Sequence, residues 1–137
     1  MWTTEFSMEC KASEAKIWQI LTDVENWKDW IGGIEYSTIN GSFENGTFIT
    51  IKNIKAPKAK NMLKDVVVNK SFILQSKVPL CTIDGIHEIV NENDVLKVRL
   101  GVTMYGALSF IFRGIFGKKL AKSLPIATKK LVELAEK

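Results

Sequence analysis

Polar and apolar residues alternate from the second position onward. Trp2, Thr4, Phe6 and Met8 interleave with Thr3, Glu5, Ser7 and Glu9, which predicts a first strand with one buried face. The period then lengthens. Ile17, Ile20 and Leu21 fall on one helical face with Trp18 at its edge, and Ser13 stands where a hydroxyl can accept from an unpaired first-turn N–H. Asp23 is placed to cap a second short helix, setting Trp27 and Trp30 on one face a turn apart. Two short helices with three indoles need a broad apolar surface to cover, which implies a roomy, aromatic-lined interior.

Period two returns between Gly33 and Tyr105, where turn residues separate six further predicted strands. Ile34–Ile39 ends at Asn40-Gly41 and Thr47–Ile54 follows Asn45-Gly46, and Asn-Gly favours turns because both residues tolerate positive φ. Met62–Val68 and Ser71–Val78 flank Asn69-Lys70, while Cys81–Val90 and Val95–Met104 flank Asn91–Asp94. Alternation is clearest in the last strand, with Leu96, Val98, Leu100, Val102 and Met104 on one side. Such short turns predict an antiparallel meander with one packed and one wet face. After Gly106 the period becomes helical, and Leu120, Leu124, Ala127, Leu131 and Leu134 form one stripe. Pro125 predicts a bend. The first part, Ala107–Phe116, is apolar nearly all round, and Gly114 and Gly117 leave side-chain volume out. A cavity is therefore expected between that half of the helix and the sheet.

Composition bounds the picture. The 137 residues make a single domain, 1–137, large enough to bury a core without disulfides or metal. Cys10 and Cys81 are too few for a secreted disulfide scaffold, and Met1–Phe6 lacks a basic start and an apolar run, so a cytoplasmic protein is expected. The longest uncharged stretch, Leu100–Phe112, is thirteen residues. A spanning helix needs roughly 20, so no transmembrane segment is expected. Net charge is +4, but only Arg99 and Arg113 among nineteen basic residues are arginines, which argues against a nucleic-acid partner.

The only histidine, His87, rules out a His cluster, and neither a metal site nor a cofactor is expected. His87 shares a strand face with Cys81, Ile83, Gly85 and Ile89, and periodicity leaves open which face lies inside. Facing inward, it offers a ligand carbonyl or hydroxyl a partner tunable near neutral pH; otherwise it is a histidine with a local partner. Tyr36, in phase with Ile34, is expected to project inward as the second acid–base candidate. The cysteines read as buried small hydrophobes. Asp84 and Glu88, about 13 Å apart along one strand face, read as solvated. Trp18 is expected to pack on the terminal helix, and Trp30, beside Gly32-Gly33, to wall the cavity. Lys52, Lys55, Lys58, Lys60 and Lys64 surround Ala56-Pro57 in a loop, where they solvate it or attract an acidic headgroup or anionic membrane. Phe110, Phe112 and Phe116 beside Lys118, Lys119 and Lys122 pose the same choice, between burial on the sheet and membrane contact.

Ala12, Ile17, Trp18, Leu21, Asp23, Trp27 and Trp30 spell Ala-x-x-x-x-Ile-Trp-x-x-Leu-x-Asp-x-x-x-Trp-x-x-Trp, continued by Gly46-Thr47, His87, Gly106 and Leu131. On these residues the chain resembles the SRPBCC superfamily, the START-like helix-grip fold, in its polyketide cyclase/dehydrase-like branch. The resemblance implies an α+β fold. A seven-stranded curved antiparallel sheet would wrap a long C-terminal helix around a deep apolar cavity, with two short helices between strands 1 and 2. Members bind sterols, lipids, polyketides, quinones or plant hormones, and a minority catalyse cyclisation or dehydration. The expected function is carriage or sensing of a hydrophobic small molecule in a cavity lined by Trp30, Tyr36, His87, Met104, Phe112 and Phe116. The alternatives are a cyclase or dehydratase using His87 and Tyr36, or a protein-interaction module. A monomer or homodimer is expected, with membrane contact at most transient.

Overall fold

The computed structural model describes residues 1–137 as β1 (Trp2–Glu9), α1 (Glu14–Thr22), a 3-10 helix (Val24–Asp29), β2 (Ile34–Ile39), β3 (Phe48–Asn53), β4 (Lys58–Val67), β5 (Ser71–Val78), β6 (Cys81–Glu92), β7 (Val95–Tyr105) and α2 (Ser109–Ala135). The strands form one antiparallel sheet in the order β1-β7-β6-β5-β4-β3-β2. Consecutive strands from β2 to β7 are neighbours, as short turns require. Only β1 crosses over, laying Trp2 opposite Met104 and Glu9 opposite Lys97. The strand β4 begins at Lys58, so Lys58 and Lys60 are strand residues and not part of the loop expected around Ala56-Pro57.

Ser13 caps α1 as its position predicts, its Oγ accepting from the Lys16 N–H at 3.2 Å, and Ile17 and Leu21 are fully buried. Asp23 does not cap the 3-10 helix with its side chain; it accepts from Asn26 Nδ2 at 2.8 Å. Trp27 and Trp30 are 1% and 2% exposed. Trp18 is partly buried against Phe43 and Phe72, edge to face, in place of the terminal helix that the sequence suggested.

The helix α2 continues through Gly114, Gly117 and Pro125. Its buried face is Gly117, Leu124, Ala127, Thr128, Leu131, Val132 and Ala135. It lies on β1 and β7 and reaches β6 only at the margin. The two helical glycines do not leave a void. A Cβ at Gly117 would stand 3.3 Å from the indole of Trp2, which already fills that space, and Gly114 is exposed with nothing within 4 Å.

Candidate functional site

Strand register decides which residues share the inner face. Trp2, Met104, Ile83, Ser76, Asn61, Ile49 and Ile39 form one row across all seven strands. The neighbouring row toward one end holds Cys81, Val78, Ala59, Ile51 and Ser37. Toward the other end, Phe6, Leu100, His87 and Phe72 are level. His87 therefore faces inward, about 13 Å along the strand from Ile83.

At that level the interior is packed. Phe72 and His87 stack with centroids 4.3 Å apart and planes within 8°, and Trp27 lies parallel to both at 6.4 and 6.3 Å. Phe43 meets Phe72 edge-on at 4.9 Å. The Nδ1 of His87 is 3.1 Å from the carbonyl of Gly85 on its own strand, so it donates there in the neutral tautomer. Desolvation lowers the His87 pKa to about 4, and the carbonyls of Gly85 and Phe72 offset only part of that cost. His87 is a half-buried neutral aromatic stacked on the core, with its local partner supplied by its own strand.

Tyr36 is on the other side of the sheet. A register irregularity between Ile34 and Tyr36 breaks the alternation, so Ile34 and Ser37 are both buried while Tyr36 is 37% exposed opposite Lys52. The buried Ser37 hydroxyl donates to the carbonyl of Val24, tying β2 to the 3-10 helix. The two acid–base candidates thus stand on opposite faces. Asp84 and Glu88 also face outward, but neither is simply solvated. Asp84 accepts from Gln75 Nε2 at 2.9 Å and from the Tyr105 hydroxyl at 3.1 Å, and Glu88 pairs with Arg99. Desolvation first, then the bond and charge of Asp84, raise the Tyr105 phenol. Both cysteines are buried and free, and burial raises the Cys10 thiol. No three His, Cys, Asp or Glu side chains converge as metal ligands would.

The principal hollow is not the cavity that the sequence suggested. It holds about 350 Å³ between α1, the 3-10 helix and the last turns of α2, and five of its eight lining residues are polar or charged. Trp30 lines it with Ile20 and Leu134, although the Trp30 Nε1 is buried without a partner in the protein. A second hollow of about 210 Å³ lies on the outer face beside Phe48, Met62 and Gln75. Neither touches Met104, Phe112 or Phe116. Met104 is fully buried in the inner row, Phe112 packs on the core, and Phe116 is 42% exposed. The last two rings stack at 6.3 Å. Phe116 precedes Leu134 by five turns of about 3.6 residues, so it points to the same flank of α2 as Leu134, the flank turned toward α1.

Sequence reasoning missed the polar centre of the inner face. Asn61, 4% exposed, bonds Ser76 through its Oδ1 in the middle of an apolar row. Its Nδ2 reaches only 3.5 Å from the carbonyls of Ile49 and Ala59. The predicted strand begins at Met62, one residue too late to include it. Extending the alternation of Leu63 backwards would have placed Asn61 inside. Beside this pair, Ile51, Leu74, Val78 and Ile83 keep part of their surface although they face the core side. Helix α2 makes its sheet contacts on β1 and β7 and at the margin of β6, and the 3-10 helix makes its own on β2.

No protein-family model matches the chain, and no curated protein matches it in sequence. Solved structures do. The chain is similar to the di-domain ARO/CYC StfQ from the steffimycin biosynthetic pathway, with a TM-score of 0.79 at 9% identity over 98% of this chain. It spans half the length of that protein. It is similar to TTHA0849 from Thermus thermophilus (0.73, 13% identity, 98% of this chain and 97% of that one). Norcoclaurine synthase from Thalictrum flavum gives 0.71 at 15% identity, over 97% and 85% of the two chains. Likeness at such identities establishes the fold, and the fold is a helix grip.

Proposed function

We propose that the chain binds an apolar small molecule bearing one hydrogen-bonding group, held against the inner face between β3 and β6. The Asn61–Ser76 pair, with Asn61 buried and Ser76 half-buried, carries this reading. A polar pair enclosed by Ile51, Leu74, Val78 and Ile83 matches the makeup of ligand sites, which are mostly apolar with a few placed polar groups. These four half-buried side chains line the proposed trough around the pair. Trp30 serves the neighbouring cleft, whose charged lining suits water better than an apolar ligand. The fold supports a small-molecule ligand only by analogy, through neighbours such as StfQ and norcoclaurine synthase.

Carriage or sensing is favoured over turnover by the state of His87. A general base must reach its substrate proton. The His87 ring is stacked, desolvated and bonded to its own strand, and Tyr36 lies across the sheet from it.

A fluorescent apolar probe such as ANS should bind the folded protein saturably. Ser76→Phe, which fills the trough, should weaken binding about tenfold, or roughly 1.4 kcal/mol. Gln19→Phe, which fills the charged cleft, should leave binding unchanged. No saturable binding, or sensitivity to Gln19→Phe and not to Ser76→Phe, would remove the trough as the site.

A further inference from the structure

One end of the molecule collects apolar side chains that the fold does not use. The end is defined by Trp2 opposite Met104, and it gathers the β3–β4 loop, the β5–β6 turn and the start of α2. The Leu108 N–H donates to the Leu80 carbonyl at 2.9 Å, binding the helix start to the turn. The register of Met62 opposite Gln75 brings Lys58 level with Pro79, so the β3–β4 loop is the turn's other neighbour. Here Ile54, Leu80, Phe110 and Ile111 are 60%, 67%, 58% and 43% exposed.

Leu80 is the most telling of them. Val78 pairs with Cys81, leaving Pro79-Leu80 as a two-residue turn, and Leu80 has φ +56. Glycine or asparagine is the usual choice at positive φ, and a branched apolar side chain there is strained. Folding alone favours neither the residue nor its exposure.

Charge is arranged around the same end. Residues 51–60, 76–83 and 104–116, which build most of it, contain no Asp or Glu but six of the nineteen basic residues. The rest of the chain holds all fifteen acids and is net negative. Lys55, Lys58, Lys77 and Arg113 flank the exposed apolar group. Glu35, at the neighbouring start of β2, pairs with Lys52, and the remaining cations around the apolar group complement an interface that is hydrocarbon beneath and anionic above.

We propose that this end docks on anionic lipid bilayers, with Leu80, Phe110, Ile111 and Ile54 entering the headgroup–acyl boundary and the flanking cations meeting lipid phosphates. No helix is long and apolar enough to cross a membrane, so the contact is peripheral. The docking does not depend on the ligand reading, because it needs neither the trough nor its occupant.

Flotation with phosphatidylcholine vesicles containing about one third phosphatidylglycerol tests it. The protein should float with these vesicles at low salt, should not float with pure phosphatidylcholine, and should detach as salt rises. Leu80→Gly and Phe110→Ser together should weaken binding about tenfold. Because Leu80→Gly also relieves a positive φ, the melting temperature should hold or rise, which separates lost docking from lost folding. Val68→Ser, an exposed apolar change at the opposite end, should have no effect on binding. Failure to float with anionic vesicles overturns the proposal. So does binding indifferent to the double change, which would be charge adsorption alone. A change in oligomeric state on Leu80→Gly and Phe110→Ser, without vesicle binding, would instead make this end an interface between copies.

Discussion

The corner under α1 and the end beyond the start of α2 are both rich in aromatic and aliphatic side chains, and they use them in opposite ways. At the corner, Trp27, Phe72 and His87 lie parallel, Phe43 and Trp18 close on them edge-on, and Trp27 Nε1 donates to the Leu21 carbonyl at 2.9 Å. At the other end, Phe110, Ile111, Ile115 and Phe116 ride on one helix with more than two fifths of their surface in water. Apolar content therefore does not say where stability resides. Enclosure does: buried side chains lose contacts and leave cavities when cut, and exposed ones leave nothing behind.

Truncation should separate the two regions most strongly. Trp27→Ala removes a 1%-exposed indole, breaks its stack and leaves the Leu21 carbonyl without that donor. A loss of about 3–5 kcal/mol in chemical denaturation is expected. Phe116→Ala should cost under about 0.5 kcal/mol, the range of surface changes. Comparable losses would mean that the first half of α2 is as enclosed as the corner, and the contrast would fail.

Acid should strike the corner next. His87 is neutral in the fold with a pKa of about 4 and titrates near 6.5 when unfolded. Between those values the unfolded chain binds the extra proton, so stability is full above about pH 6.5 and falls as pH drops toward 4. The loss at the bottom of that window is at most about 3 kcal/mol, less where the partly exposed residue keeps water. His87→Phe retains a stacking ring and has no proton to gain. Melting temperatures of the two proteins should therefore converge at neutral pH and part below pH 6. Parallel pH profiles would show that His87 is not desolvated in the stack.

These regions were not equally legible. The alternation of Leu96 to Met104 and the Ser13 cap announced β7 and α1, because both signals are local and the register of one strand fixes its whole face. Tyr36 defeated the same logic, since one irregularity after Ile34 shifts everything beyond it, and no turn residue marks the spot. For His87, alternation supplied the set of residues sharing its face but not the direction of that face. Only pairing with Phe72 and Leu100 settles it. The expected cavity failed for another reason. Missing side-chain volume in a helix is visible in sequence, but the tryptophan that fills it, Trp2, lies 115 residues away and arrives through a β1–β7 crossover that no local pattern encodes.

The two helical glycines give the finest test of that contrast, because they differ in surroundings and not in residue type. An exposed helical glycine costs up to about 1 kcal/mol relative to alanine, mostly in backbone entropy. At Gly114 an added Cβ meets nothing within 4 Å, so Gly114→Ala should recover that energy and raise the melting temperature by roughly 3 °C. At Gly117 the same atom would stand 3.3 Å from Trp2, tighter than ordinary contact, and the helix gain must be set against displacement of a packed indole. Gly117→Ala should therefore be neutral or destabilising. If both changes stabilise equally, the Trp2 indole yields freely, and α2 is not seated on β1 at this point. If neither does, the first half of α2 is already so constrained that removing glycine entropy gains nothing, and it belongs with the packed corner.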